Sequence, residues 1–265
     1  MTESAEISIT RAFEAPRDLV FRNLVEPALV ASWFAPAGYT VTSCSFEARP
    51  GGKWRVEFRS PGGRGHVEHG EVLEVERPSR LVFTLEQRDD RGNVGQRTTV
   101  TMELAEKGAH TTLTFRQTGY TKNDVRDANA EGWAECFRKL DATLIAEREI
   151  RAVFETWTQD AHDLDASMEP IADDIHSYEH GPDMEVRGIT AVRAVCKSGL
   201  DVVPPDFRWD VPDLHVVVRD DIAIVWGLNR MHMNGKDTMS RGTRLFQKRD
   251  GKWKLFHQHL SFPSQ

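Results

Sequence analysis

Cysteine is scarce in this 265-residue chain, with only Cys44, Cys136 and Cys196, far apart and in no Cys-x-x-Cys spacing. An odd, scattered set argues against a disulfide framework and against a cysteine zinc site, so a reducing, cytoplasmic compartment is expected. Long apolar runs are missing too. Nowhere do about 18 uncharged apolar residues follow one another, and the opening MTESAEISITRAF has no basic stretch leading into an apolar one. Neither membrane spanning nor secretion is expected. Basic charge is outweighed, 34 Lys and Arg against 41 Asp and Glu, and the net charge of −7 offers no footprint for a nucleic-acid backbone. There is no Gly-x-Ser-x-Gly elbow, and Gly62-Gly63-Arg64-Gly65 precedes a strand pattern where a phosphate cradle needs a helix N-terminus. With 19 Gly and 12 Pro there is no low-complexity bias.

What remains is a globular composition, 39% hydrophobic and 28% charged, on a chain long enough for two ordinary domains. Ten histidines are shared unevenly: three (His66, His69, His110) precede residue 149 and seven follow it. The first half reads as a strand (7–13), a helix (16–24), a run of strands and a final helix. Trp54, Val56 and Phe58 alternate at period two, as do Leu81, Phe83 and Leu85, while Pro61-Gly62-Gly63 and Arg91-Gly92-Asn93 read as turns. Trp133, Phe137, Leu140 and Leu144 form one helical stripe that must lie on the resulting antiparallel sheet. Past residue 147 the helical pattern continues without Pro or Gly, which predicts a stiff junction. Ile150, Val153, Phe154 and Trp157 extend it. The second half then predicts a capped helix over 163–172, a strand, a helix over 189–198 and three long strands.

Residues 5–147, with APRDLVFRNLVEPALVASWFAPAGYTV, FEARPGGKWRV, GEVLEVERPSRLVFT and a late Gly132-Trp133 opening a helix, resemble the SRPBCC or START-like superfamily. The branch is the one named after an activator of a heat-shock-protein ATPase. The resemblance implies a helix-grip fold, a curved antiparallel sheet wrapping a long C-terminal helix and leaving an apolar cavity. Trp33, Phe34, Trp54, Phe58, Trp133 and Phe137 are its candidate ligand-binding residues, and the alternative is that each fills the core. If Val67, Leu73 and Val75 point inward, period two turns His69 and Glu71 inward as a ligand anchor or acid/base pair. A bulge near Gly70 would leave both solvated instead. Arg49, before Pro50-Gly51-Gly52, reads as a turn-holding residue.

Residues 148–265, with HDLDASMEPIADDIHSYEHGPD, EVRGITAVRA, GLNRMHM and SRGTRLFQKRDGKWKLFHQHLSFP, resemble the SnoaL-like group of the nuclear transport factor 2-like superfamily. The closing series His257, His259, Ser261, Pro263 is part of that likeness. The fold implied is a cone-shaped α+β barrel with a pocket at its wide end, often dimerising through the sheet. Its ketosteroid isomerase and polyketide cyclase members abstract a proton beside a carbonyl. The position of the isomerase's carboxylate base falls on Glu179, with His180 beside it, whereas the position of the phenolic donor falls near Glu155 in a helix without tyrosine. Catalytic candidates are therefore Glu179, His180, His257 and Arg241, with Trp157, Tyr178, Asn229 and His259 as ligand-binding candidates. By period two Trp253, Leu255, His257, His259 and Ser261 share a face, which is either a pocket wall or a face packed on a twin subunit. His-x-His, with His176 nearby, is a weak metal signal, and no metal or cofactor is expected.

The expectation is thus an α+β chain, helix-grip domain (1–147) followed by cone-shaped domain (148–265), binding or processing a small hydrophobic or carbonyl-bearing molecule. Alternatives are an isomerase, cyclase or lyase with Glu179 as general base, and a regulator of a heat-shock ATPase, which rests on family analogy alone. A homodimer through the second domain is expected, with no nucleic-acid or membrane partner.

Overall fold

The computed structural model describes residues 5–89, 92, 95–159, 161–180 and 185–262. The expected turn at Arg91 and Asn93, and Pro263 of the closing series, lie outside them. The chain folds as two compact units, Met1–Ile145 and Ala146–Gln265. Both are mixed α+β.

In the first unit, β1 (Ala5–Phe13), α1 (Arg17–Val25) and α2 (Pro27–Trp33) precede β2 (Thr40–Phe46), β3 (Lys53–Arg59), β4 (Gly65–Glu76), β5 (Arg80–Asp89), β6 (Thr98–Lys107) and β7 (His110–Tyr120). The sheet is antiparallel in the order β1-β7-β6-β5-β4-β3-β2, a meander closed by the return of β1 beside β7. Its inner face packs on α3 (Asn123–Gln159), whose Trp133, Phe137, Leu140 and Leu144 are buried against Trp54, Val56, Met102, Leu113 and Phe115. This is the helix-grip arrangement. It follows from alternation: in β3 residues 54, 56 and 58 are buried while 53, 55 and 59 are exposed, so one face is apolar and one wet.

Gly70 of β4 shows why that face closes tightly. A Cβ there would lie 1.8 Å from the Thr84 carbonyl oxygen and 2.8 Å from the Trp54 indole nitrogen. That nitrogen donates to the same carbonyl at 2.9 Å, so only glycine lets the buried indole find its acceptor.

The second unit takes the rest of α3, α4 (Leu164–Met168), β8 (Ile171–Tyr178), β9 (Val186–Arg187), α5 (Ile189–Leu200), β10 (Arg208–Asp210), β11 (His215–Arg219), β12 (Ile222–Met233), β13 (Lys236–Arg249) and β14 (Lys252–Ser261). Strand order is β10-β12-β13-β14-β8-β9, with β11 also on β12 and β14 parallel to β8. The expected cap is present, since the Asp163 carboxylate accepts from the Asp165 and Ala166 amides at 2.8 and 3.1 Å. The helix is shorter than the 163–172 expected, because Pro170 cannot continue it and Ile171 already opens β8. Ile150, Phe154, Met168, Ile175, Val225, Phe246 and Leu255 form this unit's own core.

Candidate functional site

The first unit holds a cavity of about 530 Å3 that is open to solvent. Phe34, Tyr39, Phe58, Leu85 and Trp133 give it aromatic and apolar walls, Glu68, Gln87 and Asn129 build one polar end, and Arg64 and Arg88 also line it. Gln87 Nε2 donates to Glu68 Oε1 at 2.9 Å and to Asn129 Oδ1 at 3.1 Å, and Asn129 Nδ2 donates to the Tyr120 hydroxyl at 3.0 Å. On a second wall, Trp133 Nε1 donates to Gln117 Oε1 at 2.7 Å, and Gln117 Nε2 donates to the Thr98 hydroxyl at 2.8 Å. His66 stacks on Phe58 with centroids 5.4 Å apart and meets the edge of Tyr39 at 5.7 Å.

Glu68 touches the cavity and is otherwise enclosed by protein. Desolvation pushes its pKa from 4.5 up to about 7, against the smaller opposing effect of the Gln87 bond. The same enclosure, with Glu68 near by, pushes the Cys136 thiol up to about 12, so this cysteine is an inert wall residue. Cys44, Cys136 and Cys196 form no disulfide.

Phe34, Phe58 and Trp133 line the cavity, whereas Trp33, Trp54 and Phe137 are fully enclosed core residues. The inward turn of His69 and Glu71 is corrected. The β4–β5 register shifts by one residue between Val72 and Glu74, so Leu73 is exposed and parity reverses before it. Gly70, Glu68 and His66 therefore take the inner face, while Glu71 pairs with Lys53 at 2.7 Å on the outer face. His69 lies there opposite Arg55, its pKa lowered by desolvation and then by the Arg88 charge. The period-two series His66, Glu68, Gly70, Val72 was the available signal for the inward carboxyl.

In the second unit Ser177 and Glu179 continue the inward parity of Ile175. Glu179 Oε1 accepts from the Ser177 hydroxyl and, at 2.8 Å, from Gln258 Nε2. Asn229 is buried and its amide donates to Ser240 Oγ at 3.0 Å. Next to it lies a residue that sequence reasoning passed over. Arg244 is only 3% exposed, and its guanidinium carbon stands 5.5, 5.7 and 5.6 Å from the ring centres of Phe154, Trp157 and Trp209. Arg244 Nη2 donates to Asn229 Oδ1 at 2.9 Å. Burial lowers its pKa to about 10, with the Glu179 charge opposing, so the group stays cationic at neutral pH. His180 stacks on Phe262 at 4.4 Å and is made less basic by desolvation.

Arg241 is corrected: even-numbered residues 240–246 of β13 face inward, which puts Arg241 on the exposed side and Arg244 inside. The shared face of the last strand is corrected as well. Between Leu255 and His257 the pairing of β14 slips by one residue, so Trp253 and Leu255 face in but Gln258 replaces His257 and His259. Those two histidines join His176 and Tyr178 on the outer face, with ring centres 5.0 to 5.8 Å apart. Among the described residues no three His, Cys, Asp or Glu are grouped so as to hold a metal ion, and no helix is long and apolar enough to cross a membrane.

Fold and sites together define a helix-grip domain followed by an α+β domain of the nuclear transport factor 2-like type. Residues 14–145 match the family model described as Activator of Hsp90 ATPase homolog 1-like protein, and residues 150–265 match that of the SnoaL-like domain. The chain is an SRPBCC/START-like domain of that activator branch fused to a SnoaL-like domain. Among solved structures, the AHSA1 protein from Silicibacter pomeroyi shares the fold at TM-score 0.50 and 23% identity, over 54% of this chain and 99% of its own. A protein from Chromobacterium violaceum matches at TM-score 0.47 and 26% identity, over 52% of this chain and 94% of its own. An NTF2-like protein of unknown function from Pseudomonas putida matches at 0.44 and 25%, over 46% and 89%. No curated protein matches.

Proposed function

We propose that the first unit is a receptor for a small, largely apolar molecule carrying one hydrogen-bonding oxygen, with Glu68 as the anchor for that oxygen. The observation that carries this reading is a carboxyl held near neutrality at the polar end of an aromatic cavity of ligand size. A protonated Glu68 donates to a carbonyl, and an ionised one accepts from a hydroxyl. The test is thermal stabilisation of dialysed full-length protein by a panel of fatty acids, simple aromatics and polycyclic ketones. A fitting ligand at a hundred times its Kd stabilises by about 2.7 kcal/mol. Gly132 lines the cavity and has open space where a Cβ would stand, so Gly132→Leu is expected to fill the site and abolish the effect. A panel without any stabilising member, or a response surviving Gly132→Leu, removes this reading.

The second reading is acid–base chemistry in the second unit, with Glu179 taking a proton beside a carbonyl. It is favoured by the inward placement of Glu179, electrostatically coupled to the buried Arg244. Its test is proton–deuteron exchange on small ketones, expected to be lost in Glu179→Gln with the thermal midpoint retained. Exchange equal in both proteins removes Glu179 from the chemistry.

A further inference from the structure

Burying a guanidinium is costly unless its donors are answered and its charge is balanced. Arg244 meets these conditions only in part: one of its nitrogens is answered, and the Glu179 charge acts on it without an ion pair. Nη2 is satisfied by Asn229, but Nε and Nη1 are buried without a hydrogen-bond partner, and among the described residues no carboxylate hydrogen-bonds to the guanidinium. The three aromatic faces around it favour a cation but accept nothing from in-plane N–H groups. The position is built: a Cβ on Gly242 would stand 2.6 Å from Arg244 Nη1 and 2.9 Å from the Asn229 amide nitrogen, so glycine makes room for the guanidinium–amide pair. A second buried polar atom is unanswered in the same interior. His180 Nε2 has no partner, and His180 responds to the charges of both Glu179 and Arg244.

We infer that Arg244 anchors a binding site in the second unit for a small monocarboxylate with an apolar body, independent of the cavity in the first. The carboxylate supplies the missing acceptors at Nε and Nη1, and Trp157 and Trp209 offer rings for its body to pack on. Charge decides between anions. Arg244 brings one positive charge, and Glu179, whose Oε1 is engaged by Ser177 and Gln258, acts on it from near by without pairing with it, so each further anionic charge has only the open guanidinium donors to answer it. A dianion such as a phosphate monoester would leave buried negative charge in excess.

The experiment titrates the full-length protein at constant ionic strength with sodium benzoate, sodium pentanoate, benzamide and inorganic phosphate. The readout is the Arg244 Nε–H resonance, assigned by its absence in Arg244→Lys. Either carboxylate is expected to shift it saturably by about 10 mM, tenfold above a Kd of about 1 mM, while benzamide and phosphate leave it in place. In Arg244→Met the carboxylate response, followed by tryptophan fluorescence, should weaken at least about tenfold. An equal shift with benzamide, a shift with phosphate alone, no shift with either carboxylate, or an unweakened response in a folded Arg244→Met overturns the assignment. The four-ligand comparison on the wild-type chain decides the matter even where Arg244→Met fails to fold.

Discussion

A glutamate that ionises near pH 4.5 in the unfolded chain and near 7 in the folded one binds its proton more tightly when folded. Stability from this group is therefore complete below about pH 4.5 and is lost as pH rises through 7, by at most about 3 kcal/mol, less where cavity water screens the charge. Glu68→Gln keeps an amide that can accept from Gln87 and carries no charge. It should leave the thermal midpoint unchanged at pH 5 and raise it at pH 8, and a larger gain at pH 5 than at pH 8 would contradict the assignment. Trp133 gives a second test at this scale. Trp133→Phe keeps most of the packing but strips Gln117 Oε1 of its 2.7 Å donor, and a loss of about 1–2 kcal/mol in urea unfolding is expected. No loss would mean that Gln117 finds another donor. Which residues do the polar work was only partly legible in sequence. Phe58 and Trp133 follow from hydrophobic periodicity and Phe34 from the family resemblance, but Glu68 and Arg244 depend on which way a strand faces.

Strands and helices were largely written in local pattern, and their faces were not. The α3 stripe, the alternation of β3 and the Asp163 cap all follow from side-chain period and capping chemistry. The slips at Leu73 in β4 and between Leu255 and His257 in β14 do not, because a bulge is a property of two strands pairing. Each slip exchanges a set of inward and outward residues, which is why His69, Glu71, His257 and His259 stand outside. Gly70 tests how tightly β4 is fixed. In Gly70→Ala the new methyl overlaps a backbone carbonyl that belongs to the β5 ladder and cannot swing away. A loss of about 3 kcal/mol or more in chemical unfolding is expected, and one below about 1 kcal/mol would mean that β4 and β5 can separate locally.

At the scale of the whole molecule, the outer face of the second unit's sheet keeps Ile224, Trp226, Leu228 and Met239 partly exposed on the adjacent strands β12 and β13. Ile224, Trp226 and Leu228 form an apolar row along β12, with Thr243 and Arg241 of β13 beside it, and an exposed row of this kind is normally covered. We propose a second copy of the chain as its cover, pairing like face with like face. Light scattering on the purified protein should give twice the 30.1 kDa chain mass, and Trp226→Glu should give a monomer of unchanged helical content. A monomeric wild type would remove the proposal. The sequence alone determined that two α+β domains of different families are joined, because apolar periodicity and motif order are local and survive without contacts. The tertiary structure decided the rest: which carboxyl enters the first cavity, which arginine is buried in the second unit, and which histidines stand outside. Those choices turn on strand register, and register exists only once two strands have met.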